Sequence, residues 1–163
     1  MGVENEVLGR LKERFPRVLK ETAPVRPGVA RIKIDRADLL EVCFYLKEEL
    51  GFDHLSCISA VDWRDRFECV YHFARYEEGT MLQVNAVIPH DDPKIESLCK
   101  LWNSANFHER EAYDLMGIVF DHHPDLKRIL LPKDFKYFPL RKDFPQEVDR
   151  QYISRRKIKS GGA

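Results

Sequence analysis

Residues 108–114 bring His108, Glu109, Arg110, Glu111 and Asp114 together, and His122 and His123 follow shortly after. Carboxylates and imidazoles at such spacing suggest three chemistries. The first is acid–base work by Glu109 and Glu111. They stand two apart, so on a helix they point to different sides and cannot share one substrate. The second is a metal held by His108, Glu109, Asp114, His122 and His123. No HExxH is present, since the order is His108-Glu109-Arg110-Glu111-Ala112, and adjacent histidines rarely face one metal. The third is nucleophilic catalysis, for which Ser56, Ser59 and Ser104 lack the GxSxG elbow and no cysteine stands in a motif beside a histidine. Nucleotide-binding glycine loops are absent as well. The blander reading is a surface helix in which Arg110 and Asp114 pair four residues apart; such exposed pairs contribute about 0–1 kcal/mol. A free-standing metal-dependent enzyme built on this cluster is kept as a remote alternative.

Alternation and helical spacing outline what must position these residues. Val7, Leu8, Leu11 and Phe15 share a helical stripe that Pro16 ends, and a loop with Pro24, Pro27 and Gly28 follows. Val29 to Ile34 alternates as a half-buried strand. Asp35 is expected to cap a helix whose stripe is Leu39, Cys43, Leu46 and Leu50, with Gly51 closing it. Three strands come next. Leu55, Cys57, Ser59 and Val61 are read as one face, Phe67, Cys69, Tyr71 and Phe73 as another, and Leu82, Val84, Ala86 and Ile88 as a third. Their short connections argue for an antiparallel meander. The fold class expected is α+β: a two-layer sandwich, mostly antiparallel sheet covered by two helices, with an extended C-terminal tail. A short helix is expected around Ile95 to Lys100, then the helix carrying Glu109 and Tyr113, closed by Gly117.

Bulk composition is consistent with one domain of residues 1–118 and a partner-binding tail of residues 119–163. The 163 residues are 44% hydrophobic, and their 27 basic and 27 acidic side chains balance, so no net charge draws the chain to nucleic acid. No stretch reaches the roughly 18 apolar residues of a membrane span. The N-terminal MGVENEVLGR lacks a signal-like apolar core, so membrane association is expected only through a partner. Cys43, Cys57, Cys69 and Cys99 are too widely spaced for a cluster or zinc site of cysteines alone and are read as core residues in a reduced compartment.

Beyond Asp121 the texture changes. Pro124, Pro132, Pro139 and Pro145 recur too closely for regular structure between them. Leu126, Ile129, Leu130, Leu131, Phe135, Tyr137, Phe138, Leu140 and Phe144 are nonetheless too apolar for a disordered tail. Part of this stretch can fold back on its own domain, but a partner is the simpler cover, and the expectation is a strap, Asp121 to Phe144, lying on another protein. The run from Arg150 to Lys159 holds five basic residues and no acid, and reads as a solvated end.

Trp102-Asn103-Ser104-Ala105-Asn106-Phe107-His108-Glu109-Arg110-Glu111-Ala112-Tyr113-Asp114-Leu115-Met116-Gly117, followed by His123-Pro124-Asp125-Leu126-Lys127-Arg128-Ile129-Leu130-Leu131-Pro132, resembles the signature of the thirty-kilodalton subunit family of respiratory complex I. Phe138-Pro139-Leu140-Arg141-Lys142-Asp143-Phe144 resembles that family's closing motif, and Phe52 to Asp62 its strand ending in an aspartate. The resemblance spans roughly residues 35–145. Phe107-His108 departs from the family's frequent Trp-Tyr, and Met116 from its Phe.

The resemblance implies a non-catalytic scaffold subunit in the peripheral arm of an ion-translocating oxidoreductase taking electrons from NADH or a reduced deazaflavin coenzyme to quinone. No cofactor is expected in this chain; iron–sulfur clusters and quinone belong to partner subunits. The implied partners are a hydrogenase-like large subunit and a small iron–sulfur subunit, on the cytoplasmic side of the membrane. A related energy-converting hydrogenase or ferredoxin-driven complex is the alternative. Glu109, Arg110, Glu111 and Asp114 are expected to form one charge network at the junction of domain and tail. Arg128 and Arg141 are expected to fork onto carboxylates of the neighbour, with Leu130, Leu131 and Leu140 as apolar anchors. Tyr113, Gly117, His123, Pro124, Pro132, Pro139 and Asp143 complete the interface motif.

Overall fold

The computed structural model describes residues 2–145 and residue 147. The basic run from Arg150 to Lys159 lies outside the described residues. Helix α1 (Val3–Arg14) buries Val7, Leu8 and Leu11, and Phe15 packs edge-on against Tyr45 with ring centres 5.4 Å apart. Strands β1 (Glu21–Arg26) and β2 (Val29–Asp35) then form a hairpin whose tight turn holds Gly28 at φ +75°. Pro24 and Pro27 suggest a loop, but Pro24 is tolerated in a strand there. β1 is the edge of the sheet, where a missing N–H breaks no inner ladder.

Asp35 makes no side-chain cap, contrary to expectation; it pairs with Lys20 while a single 3-10 turn leads into helix α2 (Leu39–Glu48). Leu39, Cys43, Leu46 and Leu50 are buried, as their spacing predicts. Strands β3 (His54–Asp62), β4 (Arg66–Arg75) and β5 (Thr80–Pro89) form the antiparallel meander, and the sheet runs β1-β2-β5-β4-β3. The β2–β5 pair is parallel, because α2, β3 and β4 intervene and bring the chain back in the same direction.

A bulge corrects the expected face of β3. Leu55 pairs with Phe73 and Cys57 with His72, leaving Ser56 as the extra residue. The phase of side-chain alternation flips there. Ile58, Ala60 and Asp62 therefore join Leu55 over the core, while Cys57, Ser59 and Val61 face the other way. Cys57 is half-buried on that opposite face and is not a core residue; Cys43 and Cys69 are.

The inward faces of the sheet and three helices among the described residues share one apolar cluster. Tyr71, Phe67 and Phe73 are fully buried in it, each worth about 1.5–3 kcal/mol of transfer free energy. The third helix, α3 (Ala105–Met116), expected from the sequence, lies against β3 and so joins the two helices expected to cover the sheet. Residues 95–100 are not helical: β6 (Lys94–Glu96) pairs in parallel with β7 (Val119–Asp121), which draws residues 119–121 onto the main domain. No helix among the described residues is long and apolar enough to cross a membrane.

Candidate partner-docking site

Two carboxylates on α3 hold two different segments. Glu109 is fully buried. Its Oε1 accepts the Leu98 N–H at 2.7 Å, and its Oε2 accepts the Ser97 hydroxyl at 2.6 Å and the Cys99 thiol at 3.4 Å. Burial raises the Glu109 pKa above the ordinary carboxylate value, and these donors only partly oppose it. Burial, and then the adjoining carboxylate, also push the Cys99 thiol up to about 11.

The His123 side chain is fully buried beside them, its Nε2 4.0 Å from Glu109 Oε2. Cys99, Glu109 and His123 offer three ligand atoms within 4.8 Å of one another. The hydrogen bonds argue against a metal. His123 Nδ1 accepts the Asp125 N–H at 3.0 Å, which assigns the proton to Nε2, where it is donated to the Asn106 carbonyl at 3.2 Å. Coordination through Nε2 would break that tautomer. The cluster is a polar clasp joining residues 97–99, α3 and the start of the C-terminal segment. His122 faces elsewhere, pairing with Glu96 at 2.8 Å.

Asp114, five residues further along α3, organises the C-terminal segment. Its Oδ2 accepts three successive backbone N–H groups, from Ile129 (3.0 Å), Leu130 (2.7 Å) and Leu131 (2.9 Å). Arg128 Nη1 donates to Oδ1 at 2.7 Å and to the Asp114 carbonyl at 2.9 Å, and Nη2 reaches the Tyr137 carbonyl at 3.2 Å. Burial works against the charged carboxylate, but the N–H groups of Leu131, Leu130 and Ile129 together with Arg128 outweigh it, and the pKa is lowered.

Gly117 ends α3 at φ +71°, and a Cβ there would lie 2.7 Å from Arg141 Nη2 and 2.7 Å from the Phe138 ring. The glycine thus serves both the left-handed turn and the close approach. Arg141 donates through Nε to the Met116 carbonyl at 2.6 Å, and its guanidinium lies 5.1 Å from the Phe67 ring centre and 4.8 Å from that of Phe138. The Leu140 N–H bonds the Leu115 carbonyl at 3.1 Å. Asp62 takes the Lys142 N–H at 2.9 Å and the Arg64 N–H at 2.7 Å. Its burial is more than offset by these donors, so its pKa is also lowered.

The geometry divides the expected network. Glu109 and Asp114 head separate clusters, Glu111 stays exposed, and Arg110 does not pair with Asp114: its Nε bonds the Lys127 carbonyl at 3.1 Å and its guanidinium lies over Phe107. Arg128 and Arg141 satisfy groups of their own chain, not a neighbour's carboxylates. Tyr113 packs on the core, Pro132 and Pro139 are half-buried, and Pro124 and Asp143 are exposed. The segment from 122 to 145 runs in turns against α3 and β3, yet leaves large apolar side chains outward: Leu130 is 61% exposed and Leu140 55%, with Tyr137 also open. Phe107 on α3 is exposed too. Leu131 is half-buried. Asp62 is legible in the sequence only as a strand-ending aspartate; nothing local signals that it fastens Lys142.

The family described as "Respiratory-chain NADH dehydrogenase, 30 Kd subunit" matches residues 32–150. The C subunit of the F(420)H(2) dehydrogenase of Methanosarcina mazei is 40% identical over 153 residues, covering 90% of this chain and 97% of the relative. The C subunit of the NADH-quinone oxidoreductase of Geotalea uraniireducens is 37% identical, covering 93% of this chain and 94% of the relative. A trypsin-resistant fragment (1–134) of Nqo5 superposes with a TM-score of 0.64 at 30% identity, covering 75% of this chain and 98% of that fragment. A chain of the membrane-bound sulfane sulfur reductase, an archaeal respiratory membrane complex, superposes with a TM-score of 0.79 at 24% identity over 91% of each chain, which shows a shared fold.

Proposed function

The chain belongs to the family of the 30 kDa subunit of respiratory-chain NADH dehydrogenase, and from that premise we propose that it is a non-catalytic scaffold of a complex I-like oxidoreductase, docking on the hydrogenase-like large subunit through the outer side of residues 122–145. One observation carries this reading. The segment is fixed from beneath by Asp114, Arg141 and Asp62, while Leu130, Tyr137 and Leu140 point outward and stay largely uncovered by the described residues. Ordering a segment in advance lowers the entropy lost on association, so the anchors serve binding as well as folding. Exposed apolar side chains rimmed by charge mark protein interaction sites.

No flavin, cluster or quinone is assigned to this chain. Among the described residues, the one group of potential ligand atoms is engaged in hydrogen bonds, which favours a scaffold over a metal-dependent enzyme. The small iron–sulfur subunit is proposed as the second neighbour, with the complex on the cytoplasmic side of the membrane. Relatives named for F(420)H(2) and for NADH match with similar identity, 40% and 37%. That similarity fits a bracing subunit that touches neither donor, and it favours a quinone-type parent complex over an energy-converting hydrogenase.

The test is co-expression with the large subunit. Leu130→Asp with Leu140→Asp should abolish co-purification while leaving the circular dichroism and melting of the isolated chain unchanged. Retention at the wild-type level would overturn the proposed docking face.

A further inference from the structure

The bulge at Ser56 places Cys57 on the sheet face that no helix of the described residues covers, opposite the helix-covered core. Its cross-strand neighbour on β4 is His72, and the Cys57 Sγ lies 3.3 Å from His72 Nδ1. Gln83 of β5 stands next in register beyond His72, so a thiol, an imidazole and an amide form a row across three strands. Cys57 and His72 are both half-buried, neither closed off in the core. A nucleophile and a base within hydrogen-bond reach are the minimal pair for thiol activation.

The other cysteines have opposite surroundings. Cys43 and Cys69 are fully buried, and burial raises both thiols, Cys69 to about 12. The Cys99 thiol donates to the Glu109 carboxylate, an anion that disfavours a second negative charge beside it. Four cysteines that look alike in the sequence therefore divide into three protected thiols and one paired with a base.

We propose that Cys57, paired with His72, is a redox-modification site of this subunit, whose substrate is a hydroperoxide and whose second reactant is a low-molecular-weight thiol. His72 accepts the thiol proton, and the sulfur attacks one peroxide oxygen. The S–O bond forms as the O–O bond breaks, giving the sulfenic acid. The departing oxygen takes the proton and leaves as an alcohol, or as water when the reagent is hydrogen peroxide. Sulfur is oxidised by two electrons and the peroxide is reduced by two. A small thiol then displaces hydroxide from the sulfenic sulfur, forming a mixed disulfide and, with the small thiol's proton, water. The site is remote in function from the docking face, so it stands or falls independently of the scaffold reading.

The test is to treat the reduced, full-length chain with hydrogen peroxide in the presence of dimedone and map the adducts by mass spectrometry. Cys57 should carry the adduct at least about tenfold more than Cys43, Cys69 or Cys99, and His72→Gln should slow its labelling about tenfold. Labelling spread evenly over the four, or unchanged in His72→Gln, would overturn the proposal. Should that variant unfold, iodoacetamide labelling of the wild-type chain decides. Cys57 reacting faster than a cysteine in an unstructured peptide at the same pH supports it, and an equal or slower rate overturns it.

Discussion

Asp62, the last residue of β3, and Lys142, eighty residues further on, are joined by a 2.9 Å hydrogen bond from the lysine N–H to the carboxylate. Asp114 does the same for the near end of the segment. Two buried aspartates thus substitute for the ladder that a strand would give a chain crowded with prolines. Removing Asp62 should loosen the far end first. Asp62→Ala is expected to speed trypsin cleavage after Arg141 and Lys142 severalfold, with a loss of about 1–3 kcal/mol from the N–H groups left unsatisfied. Cleavage at the wild-type rate would show that the bond does not hold the segment.

Asp114 carries more. Asp114→Asn keeps the shape but puts an amide where a carboxylate accepts three N–H groups and faces Arg128, whose side chain is 15% exposed. Stranding a buried charge costs about 3–5 kcal/mol, so urea denaturation should show a loss near that range. A loss below about 1 kcal/mol would mean that water replaces the carboxylate freely. Arg110, the partner that sequence spacing suggests for Asp114, should behave differently: Arg110→Ala should change stability by about 0.5 kcal/mol or less, as surface substitutions do.

Gly117 tests how closely the segment approaches the helix end. Alanine there meets an unfavourable positive φ and atoms of Phe138 and Arg141 at 2.7 Å. The left-handed backbone conformation alone costs an L residue about 1–2 kcal/mol, and the collision adds to it. Gly117→Ala should therefore destabilise the chain, and hydrogen exchange should quicken at the Leu140 N–H, which bonds Leu115. Unchanged exchange at Leu140 would show that Phe138 and Arg141 yield without releasing the segment.

Much of this is legible in the chain alone. Helical spacing of Leu39, Cys43 and Leu46, and alternation from Phe67 to Phe73, are strong local signals that reflect which side is buried. The ERExYD run and the HPxLxR run stand out in the sequence, and α3 and the segment after β7 do meet. Features decided by distant partners are not legible. A bulge at Ser56 is set by the pairing of β3 with β4, so local alternation puts Cys57 on the wrong face. Asp114 takes three backbone N–H groups and Arg128 over Arg110, because the irregular chain after β7 folds back onto it. Composition makes a partner the simpler cover for the apolar residues of the tail, yet Phe135 is buried and Phe138 packs under Arg141 within this chain.

Acid titration should separate the two carboxylates of α3. Glu109 has a raised pKa in the folded chain, so the folded state holds its proton more readily than the unfolded state does. Its favourable contribution is complete below the ordinary value of 4.5 and is lost as pH climbs through the raised one. Asp114 has a lowered pKa, so its contribution is present above the ordinary 3.8 and is lost as pH falls through the lowered value. Glu109→Gln keeps an acceptor for the Leu98 N–H and can donate to the Ser97 oxygen, while removing the titration. Relative to the wild type, Glu109→Gln should become more favourable as pH rises from about 4 to 7. The deficit of Asp114→Asn should instead shrink as pH is lowered below about 4. Urea unfolding at intervals across that range measures both slopes. Slopes of the same sign would mean that the two carboxylates share one environment, and the division into two clasps would fail.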